Sequence, residues 1–291
     1  MQTDNVFLVS VCMITYNHES WIAEAIEGVL MQICDFKLEL VIGDDNSTDN
    51  TRKIIESYIE KYPNLIKARF NEDNIGMMPN FIKTLKECKG QYVAVCEGDD
   101  YWIDSLKLKK QVDLMEQNPA CSMCVAKTEW RKDNKVINIS GQGSKQFYDF
   151  YDVLNNVVYF HTSTYLIRKE FLDVYTSINP VLYFGDTTMR YVLSDMAPLL
   201  LLNEVVSVYR ITGKGVWSGI GRKKKIYMNI EKFKTFYFHY KPEHKREFLE
   251  KLIQKYRQLL VYNIKHFEPL EALSTFFQWA QWKYKLKNFE N

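Results

Sequence analysis

The sequence of 291 residues contains no apolar run near the roughly 18 residues that a membrane-spanning helix needs. Its first residues lack the basic stretch and apolar segment of a secretory signal, so we expect a cytoplasmic protein. No segment has the composition of a disordered chain, and no internal repeat is present. These absences favour a folded globular protein over a membrane, secreted or repeat protein.

Cysteine is scarce and unpatterned. The six cysteines mostly lie inside apolar runs, as reduced and buried thiols do. Cys121 and Cys124 form one C-x-x-C pair, but no second pair and no histidine at zinc spacing accompanies them. We therefore expect neither a disulfide framework nor a structural zinc site.

Charge is divided unevenly along the chain. Residues 222–291 contain 16 Lys or Arg against 7 Asp or Glu, whereas residues 1–221 contain 22 against 29. The length and a hydrophobic content of 46% are sufficient for one large core. We therefore predict an α/β domain over residues 1–221, followed by a basic, aromatic and helical extension over residues 222–291.

Apolar runs and helical patterns alternate over the first hundred residues. Strands are expected at Val6–Ile14, Leu38–Ile42, Leu65–Phe70 and Tyr92–Cys96. Of the helices between them, the first has Ser20 as its predicted N-cap and the second stops at Pro63. The third has Pro79 in its first turn and ends at Gly90. This order predicts a doubly wound parallel sheet, which binds ligands at the carboxyl ends of its strands.

Polar residues follow three of these predicted strands, at Thr15–Asn17, Asp44–Asp49 and Glu97–Asp100. The last segment has three carboxylates within four positions, and their mutual repulsion would be costly in a buried place. A shared divalent cation would relieve this repulsion, because such ions prefer oxygen ligands. A solvated acidic turn is the alternative. The convergence of three strand ends favours a binding site.

The pattern is looser after Trp102. Helices are expected at Leu106–Gln117, Phe147–Leu154, Lys169–Tyr175 and Asp186–Leu193. Strands are expected at Cys121–Trp130, Val136–Ile139, Thr162–Ile167 and Leu199–Tyr209. Two or three further helices are expected from Arg222 onwards.

Five segments, taken in order, carry a specific resemblance. They are Val9–Asn17, Val41–Asp49, Asn74–Gly76, Glu97–Asp100 and Gly185–Asp186. Together they resemble the family 2 glycosyltransferases of the GT-A fold. The resemblance implies a Rossmann-like, mixed and mostly parallel sheet flanked by helices. Residues 1–104 would form its nucleotide-binding half and residues 105–221 its acceptor half.

The resemblance also implies an activity. Such an enzyme transfers a sugar from a nucleotide diphosphate to an acceptor hydroxyl with inversion, assisted by Mg²⁺ or Mn²⁺. By family analogy we expect a UDP-sugar donor, and a saccharide or lipid-linked saccharide acceptor in surface polysaccharide or glycolipid synthesis.

By the same resemblance, Tyr16 and Asp45 would hold the nucleotide base. A core tyrosine and a helix N-cap are the alternative interpretations of these two residues. Asp99 would face the ribose and the metal, and Asp100 would be the direct metal ligand. The family more commonly has Asp where this chain has Glu97, so we expect Glu97 to contribute least.

Asp186 matches the position of the family's catalytic base, so the resemblance implies that its carboxylate takes the proton of the acceptor hydroxyl. An ordinary N-cap is the alternative. His161 would contact the acceptor or the diphosphate, or else be structural. Lys214 would reach phosphate and Trp217 would cover the sugar, in a loop that closes over the donor. Packing in the core is the alternative for Trp217.

The extension interleaves aromatic residues with lysines after the run Arg222–Lys225. It could bind an anionic membrane surface on the cytoplasmic side. It could instead pack on the catalytic domain or on a second subunit of an oligomer. Nucleic acid is not an expected partner, because no recognised binding motif is present.

Two rival functions remain. One is a non-catalytic protein that binds nucleotide sugars. The other is a sugar nucleotidyltransferase, which would need a glycine-rich phosphate loop after the first strand. Residues Thr15–Ser20 contain no glycine, so the second rival is the weaker one.

Overall fold

The computed structural model describes residues 8–178, 180–182, 184–212 and 220–289. The chain forms two compact units. The first comprises Met1–Ser177 and Gly185–Ile211, and the second comprises Ile178–Phe184 and Thr212–Asn291. The predicted boundary at residue 221 stays a prediction.

Ten strands of the described residues form one mixed sheet in the first unit. In chain order they are β1 (Val9–Thr15), β2 (Leu38–Asp44), β3 (Ile66–Phe70), β4 (Tyr92–Val95), β5 (Tyr101–Trp102), β6 (Met123–Lys132), β7 (Lys135–Ser140), β8 (Phe147–Tyr148), β9 (Leu166–Arg168) and β10 (Leu199–Arg210). The first four run parallel in the spatial order β3-β2-β1-β4, and β6 pairs parallel with β10. Antiparallel β9 lies between β4 and β6. The predicted mixed, mostly parallel sheet is confirmed.

Seven α-helices of the described residues flank this sheet. They are α1 (Ile22–Leu30), α2 (Thr51–Lys61), α3 (Met77–Glu87), α4 (Lys107–Gln117), α5 (Phe150–Leu154), α6 (Lys169–Ser177) and α7 (Asp186–Met196). A 3₁₀ turn covers Thr162–Thr164.

The centre of the sheet is apolar on both faces, as a parallel sheet between helices requires. All four residues of β4 are buried, as are six of the seven in β1. Helix α1 buries Ile22, Ala25, Ile26 and Val29, which recur at helical spacing. Each fully buried Ile or Val side chain stabilises the fold by about 1.5–3 kcal/mol.

The strand ends with polar clusters meet at one edge of the sheet. Thr15 is the register partner of Asp44, and the N–H of Asp45 donates to the carbonyl of Thr15 at 3.0 Å. The N–H of Gly98, in the turn after β4, donates to the carbonyl of Ile14 at 2.9 Å. The parallel register therefore brings the three predicted segments together.

The structure corrects several local predictions. Residues Phe147–Leu154 are not one helix, because Phe147 and Tyr148 pair with β10 before α5 begins. Thr162–Ile167 is not one strand, because its first three residues form the 3₁₀ turn. Ser20 does not cap α1, whose N-cap is Trp21.

Gly90 does not end α3, which stops at Glu87. A Cβ atom at position 90 would lie 2.5 Å from the backbone nitrogen of Ser10. Glycine is therefore required by the close approach of the chain to β1, and not by helix termination.

Among its described residues, the second unit has three α-helices, in agreement with the two or three that were predicted from Arg222 onwards. They are α8 (Arg222–His239), α9 (Lys245–Lys265) and α10 (Pro269–Lys287). Phe236 and Phe248 stack in its core with ring centroids 4.9 Å apart. Of the helices in the described part of the chain, none is long and apolar enough to cross a bilayer.

Candidate active site

Three side chains that can ligate a metal meet just beyond the end of β4. One ligand atom from each of Glu97, Asp100 and His161 lies within 4.8 Å of the other two. Nδ1 of His161 lies 3.6 Å from Oδ2 of Asp100. The acidic turn is the segment Glu97–Asp100. The 3₁₀ turn after His161 places the imidazole against this acidic turn, although about 60 residues of sequence separate them.

Burial sets the electrostatics of this cluster. Burial raises the pKa of the Glu97 carboxyl to about 7. The pKa of Asp100 is also raised, first by burial and then by the charges of Asp99 and Glu97. Burial lowers the pKa of His161 to about 4, so the imidazole is neutral at pH 7. Burial therefore disfavours the ionised carboxylates of this cluster, and the neutral histidine supplies no positive charge that would offset them.

The donor set fits a divalent cation. Nδ1 of His161 lies 2.9 Å from Oγ of Ser163 and 3.3 Å from its backbone nitrogen, and a neutral imidazole has one ring nitrogen with a lone pair. No described residue donates a hydrogen bond to the buried Oε2 of Glu97. Two carboxylates and a neutral imidazole are ligands that Mn²⁺ and related ions accept.

Asp99 lies outside this cluster. Its Oδ2 is 4.0 Å from Nε2 of His18, on the side of the acidic turn that faces β1. Among the described residues, the structure therefore groups Glu97 with Asp100, where the sequence favoured Asp99 with Asp100. The assignment of Asp99 and Asp100 as metal ligands stays a prediction.

Arg210, the last residue of β10, fixes the acidic turn. Its backbone N–H donates to Oδ1 of Asp100 at 3.1 Å, and its Nη1 donates to the carbonyl of Asp99 at 2.9 Å. The guanidinium also lies 4.2 Å above the ring of Tyr101 and pairs with Glu24. No sequence signal connects residues 110 positions apart, so this role could not be predicted.

Tyr16 and Asp45 follow register partners of β1 and β2. Tyr16 is 43% exposed and is therefore not a core tyrosine. Asp45 is buried, and its carboxylate accepts from the N–H groups of Ile75 and Gly76 at 2.9 and 2.8 Å. It also accepts from Asn71. Asp45 therefore anchors the turn before α3 and does not cap α2.

Asp186 begins α7, directly after Gly185, as predicted. Its Oδ2 lies 3.2 Å from a guanidinium nitrogen of the buried Arg190. The guanidinium of Arg190 in turn lies 5.0 Å from the ring centre of Tyr159. The i, i+4 spacing of Asp186 and Arg190 was the one signal in the sequence that could have identified Arg190.

Asp186 belongs to the same charged region as the cluster. Its charge raises the pKa of Glu97, after the larger effects of burial and Asp99, and opposes the lowering at His161. Lys214 and Trp217 lie outside the described residues, so their predicted roles stay predictions.

The family model for glycosyl transferase family 2 matches residues 10–176. This match covers more than half of the chain and includes most of β1, the acidic turn and His161. The chain belongs to glycosyltransferase family 2. The predicted resemblance is confirmed.

Relatives and solved structures agree with this family. An uncharacterized protein of Mycobacterium tuberculosis is 32% identical over 214 residues, which are 72% of this chain and 60% of that protein. The chain thus spans less than two thirds of that relative.

Two solved structures have folds similar to that of this chain. A structure of S. aureus TarS in complex with UDP has a TM-score of 0.61 and 17% identity, with 95% of this chain and 91% of that chain covered. A mannosyltransferase from Pyrobaculum calidifontis, in complex with GDP-Man and Mn²⁺, has a TM-score of 0.59 and 17% identity, with 97% and 84% covered. These likenesses support the GT-A fold.

Proposed function

We propose that the protein transfers a sugar from a nucleotide diphosphate sugar to an acceptor hydroxyl, with inversion at the anomeric carbon. The observation that carries this proposal is the meeting of Glu97, Asp100 and His161 beside Asp186, at the carboxyl edge of the sheet. This arrangement supports a binding site for a charged diphosphate next to a carboxylate base.

In the proposed reaction, the acceptor oxygen attacks the anomeric carbon as the bond from that carbon to the diphosphate oxygen breaks. Asp186 accepts the proton of the attacking hydroxyl, and Arg190 holds its carboxylate in place. The nucleoside diphosphate departs with the bonding electrons. Because the attack comes from the face opposite the leaving group, the configuration inverts.

Glu97, Asp100 and His161 would hold Mg²⁺ or Mn²⁺. When bound, the cation would offset negative charge on the departing diphosphate. The exposed ring of Tyr16 would stack on the nucleotide base, and Asp45 would shape the adjoining turn. Asp99 would face the ribose, and Lys214 and Trp217 would close over the donor. In this scheme residues 1–104 hold the nucleotide and residues 105–221 the acceptor.

A donor screen tests the activity. The protein is incubated with Mn²⁺ and labelled UDP, GDP and dTDP sugars, with UDP sugars as our first expectation. Release of nucleoside diphosphate supports transfer. Binding without release would instead support a nucleotide-sugar-binding protein, and pyrophosphate release a nucleotidyltransferase.

We further propose that the acceptor is a surface polysaccharide or a lipid-linked saccharide, reached from the cytoplasmic face of a membrane. The support is an exposed apolar surface at the α9–α10 turn of the second unit. Phe267 is 92% exposed and Leu270 is 84% exposed, and Leu273 and Phe277 are also exposed. The excess of basic residues in this extension favours an anionic lipid surface.

Vesicle binding tests this surface. We expect the protein to sediment with phosphatidylglycerol vesicles and not with phosphatidylcholine vesicles. A Phe267→Ser, Leu270→Ser variant should remain in the supernatant. Equal sedimentation of the variant and the unmodified protein would contradict a role for this surface.

A further inference from the structure

A cavity lies beside the candidate active site, in the first unit. Its volume is about 340 Å³, and it is lined by the β6–β7 hairpin, the turn that follows β7 and residues 157–159. Ligand pockets typically enclose roughly 300–1,000 Å³, so this one is suited to a small ligand. None of the residues assigned to the donor or the cation lines it.

The aromatic wall of this cavity is held rigidly. The indole N–H of Trp130 donates to Oγ of Ser140 at 3.0 Å. The indole meets the rings of Tyr159 and Tyr209 edge to face, with centroids 6.1 and 5.2 Å apart. The orientation of Trp130 is therefore fixed before a ligand arrives.

The turn after β7 is fixed as well. Gly141 has a φ of +79°, and a Cβ atom there would lie 2.6 Å from the carbonyl oxygen of Ala126. This backbone conformation favours glycine and holds Gln142 at the rim of the cavity. Asn138 also lines the cavity and is exposed at its mouth.

The wall of the cavity adjoins both the Asp186–Arg190 ion pair and the ring of His161. Tyr159 lies 5.0 Å from the guanidinium of Arg190, which is paired with Asp186. On the other side, Trp130 contacts Tyr209, whose ring lies 4.5 Å from that of His161. A ligand in the cavity would therefore lie on the side of the site where Asp186 accepts the proton of the acceptor hydroxyl.

The lining chemistry selects the ligand class. The described lining side chains are aromatic, aliphatic, hydroxyl or amide, and none of them is charged. An aromatic face accepts the C–H face of a sugar ring, and amides pair with its hydroxyl groups. A phosphate or carboxylate would find no cation among these residues. The lining thus favours a neutral sugar.

We propose that this cavity is an acceptor subsite, which holds a neutral sugar residue next to the one that carries the attacking hydroxyl. Trp130 supplies the stacking face, and Asn138 and Gln142 supply hydrogen bonds. The proposal rests on the proposed glycosyl transfer for its link to the reaction. The binding of a saccharide by the cavity can be tested separately.

Saturation-transfer NMR on the full chain provides the test. The probes are methyl glycosides of glucose, N-acetylglucosamine, mannose and rhamnose, with methyl glucuronide as the anionic comparison. We expect at least one neutral glycoside to bind, with a dissociation constant that rises about tenfold in Trp130→Leu and in Asn138→Ala. Ile137→Ala is the matched control, because this exposed residue precedes Asn138 on β7 and lies outside the lining.

Three outcomes would overturn the subsite. They are no binding of any neutral glycoside, tighter binding of the glucuronide, and equal weakening by the control variant. Asn138 is exposed, so its variant remains informative if Trp130→Leu fails to fold.

Release of nucleoside diphosphate by the unmodified protein is measured in parallel. Saccharide binding that depends on Trp130, without such release, would retain the subsite and refute the proposed transfer. Release of nucleoside diphosphate without saccharide binding would support the proposed transfer and refute the subsite.

Discussion

The carboxylate of Asp186 and the guanidinium of Arg190 form an ion pair at 3.2 Å across the first turn of α7. Arg190 is buried, whereas the Asp186 side chain keeps part of its surface open to solvent. A carboxylate held from one side and open on the other is suited to accept a proton from a bound hydroxyl.

Asp186→Asn should lower the rate of transfer by at least about a hundredfold, because an amide cannot act as a general base. Donor affinity should remain close to that of the unmodified protein, since Asp186 lies outside the cluster of metal-type ligands. Nucleoside diphosphate release and calorimetric titration of the donor measure the two quantities. Asp173→Asn, an exposed residue on α6, is the control. Full transfer by Asp186→Asn would refute the base assignment.

Arg190→Met should destabilise the protein by roughly 3–5 kcal/mol, because it leaves a partly buried carboxylate without its partner. The same substitution in an Asp186→Asn background should cost less. Urea unfolding of the four proteins gives the coupling energy, expected at about 0.5–3 kcal/mol. Strictly additive effects would show that the ion pair contributes nothing to stability.

Mn²⁺ affinity should distinguish the two possible metal clusters. Glu97→Gln and Asp100→Asn should each weaken Mn²⁺ binding at least about tenfold, and Asp99→Asn should weaken it less. Electron paramagnetic resonance of free Mn²⁺ measures the affinity. Chelation by EDTA should abolish donor binding, and added Mn²⁺ should restore it. A larger effect of Asp99→Asn than of Glu97→Gln would support the assignment made from the sequence.

The sequence was sufficient to predict the strands and their parallel pairing in the first half of the fold. Buried parallel strands are continuous apolar runs, so β1, β2 and β4 are recognisable, and parallel pairing places their polar ends at one edge. The positions of Asp45, Asp100 and Asp186 at element ends followed from the same patterns.

The remaining part of the site depends on long-range packing. His161 reaches Asp100 because a 3₁₀ turn interrupts what reads as a strand, and Arg210 reaches it across 110 residues. Apolar periodicity carries no information on such contacts. The choice between Asp99 and Glu97 is also beyond apolar periodicity, since side-chain direction in a tight turn depends on the tertiary contacts of that turn.

A buried lysine behind the site makes stability depend on pH. Lys107 is fully buried on α4, with its Nζ 2.7 Å from Gln111 and 4.1 Å above the ring of Trp102. Gln111 in turn donates to the carbonyl of Thr164, in the turn that carries His161. Among the described residues no carboxylate pairs with Lys107, and burial lowers its pKa to about 7.

Between pH 7 and 10.5 the unfolded chain therefore binds a proton that the folded protein does not. The free energy of unfolding should rise with pH in this window, by at most about 1.4 kcal/mol per pH unit. The destabilising effect of Lys107 is complete below pH 7 and vanishes above the pKa of Lys107 in the unfolded chain.

Lys107→Met should abolish this dependence of stability on pH and be the more stable protein at pH 7, provided that Met fills the same space. Urea unfolding at pH 7, 8 and 9 measures the effect, with Lys83→Met, an exposed residue on α3, as the control. Parallel pH profiles for the unmodified protein and Lys107→Met would show that Lys107 keeps its proton in the folded state.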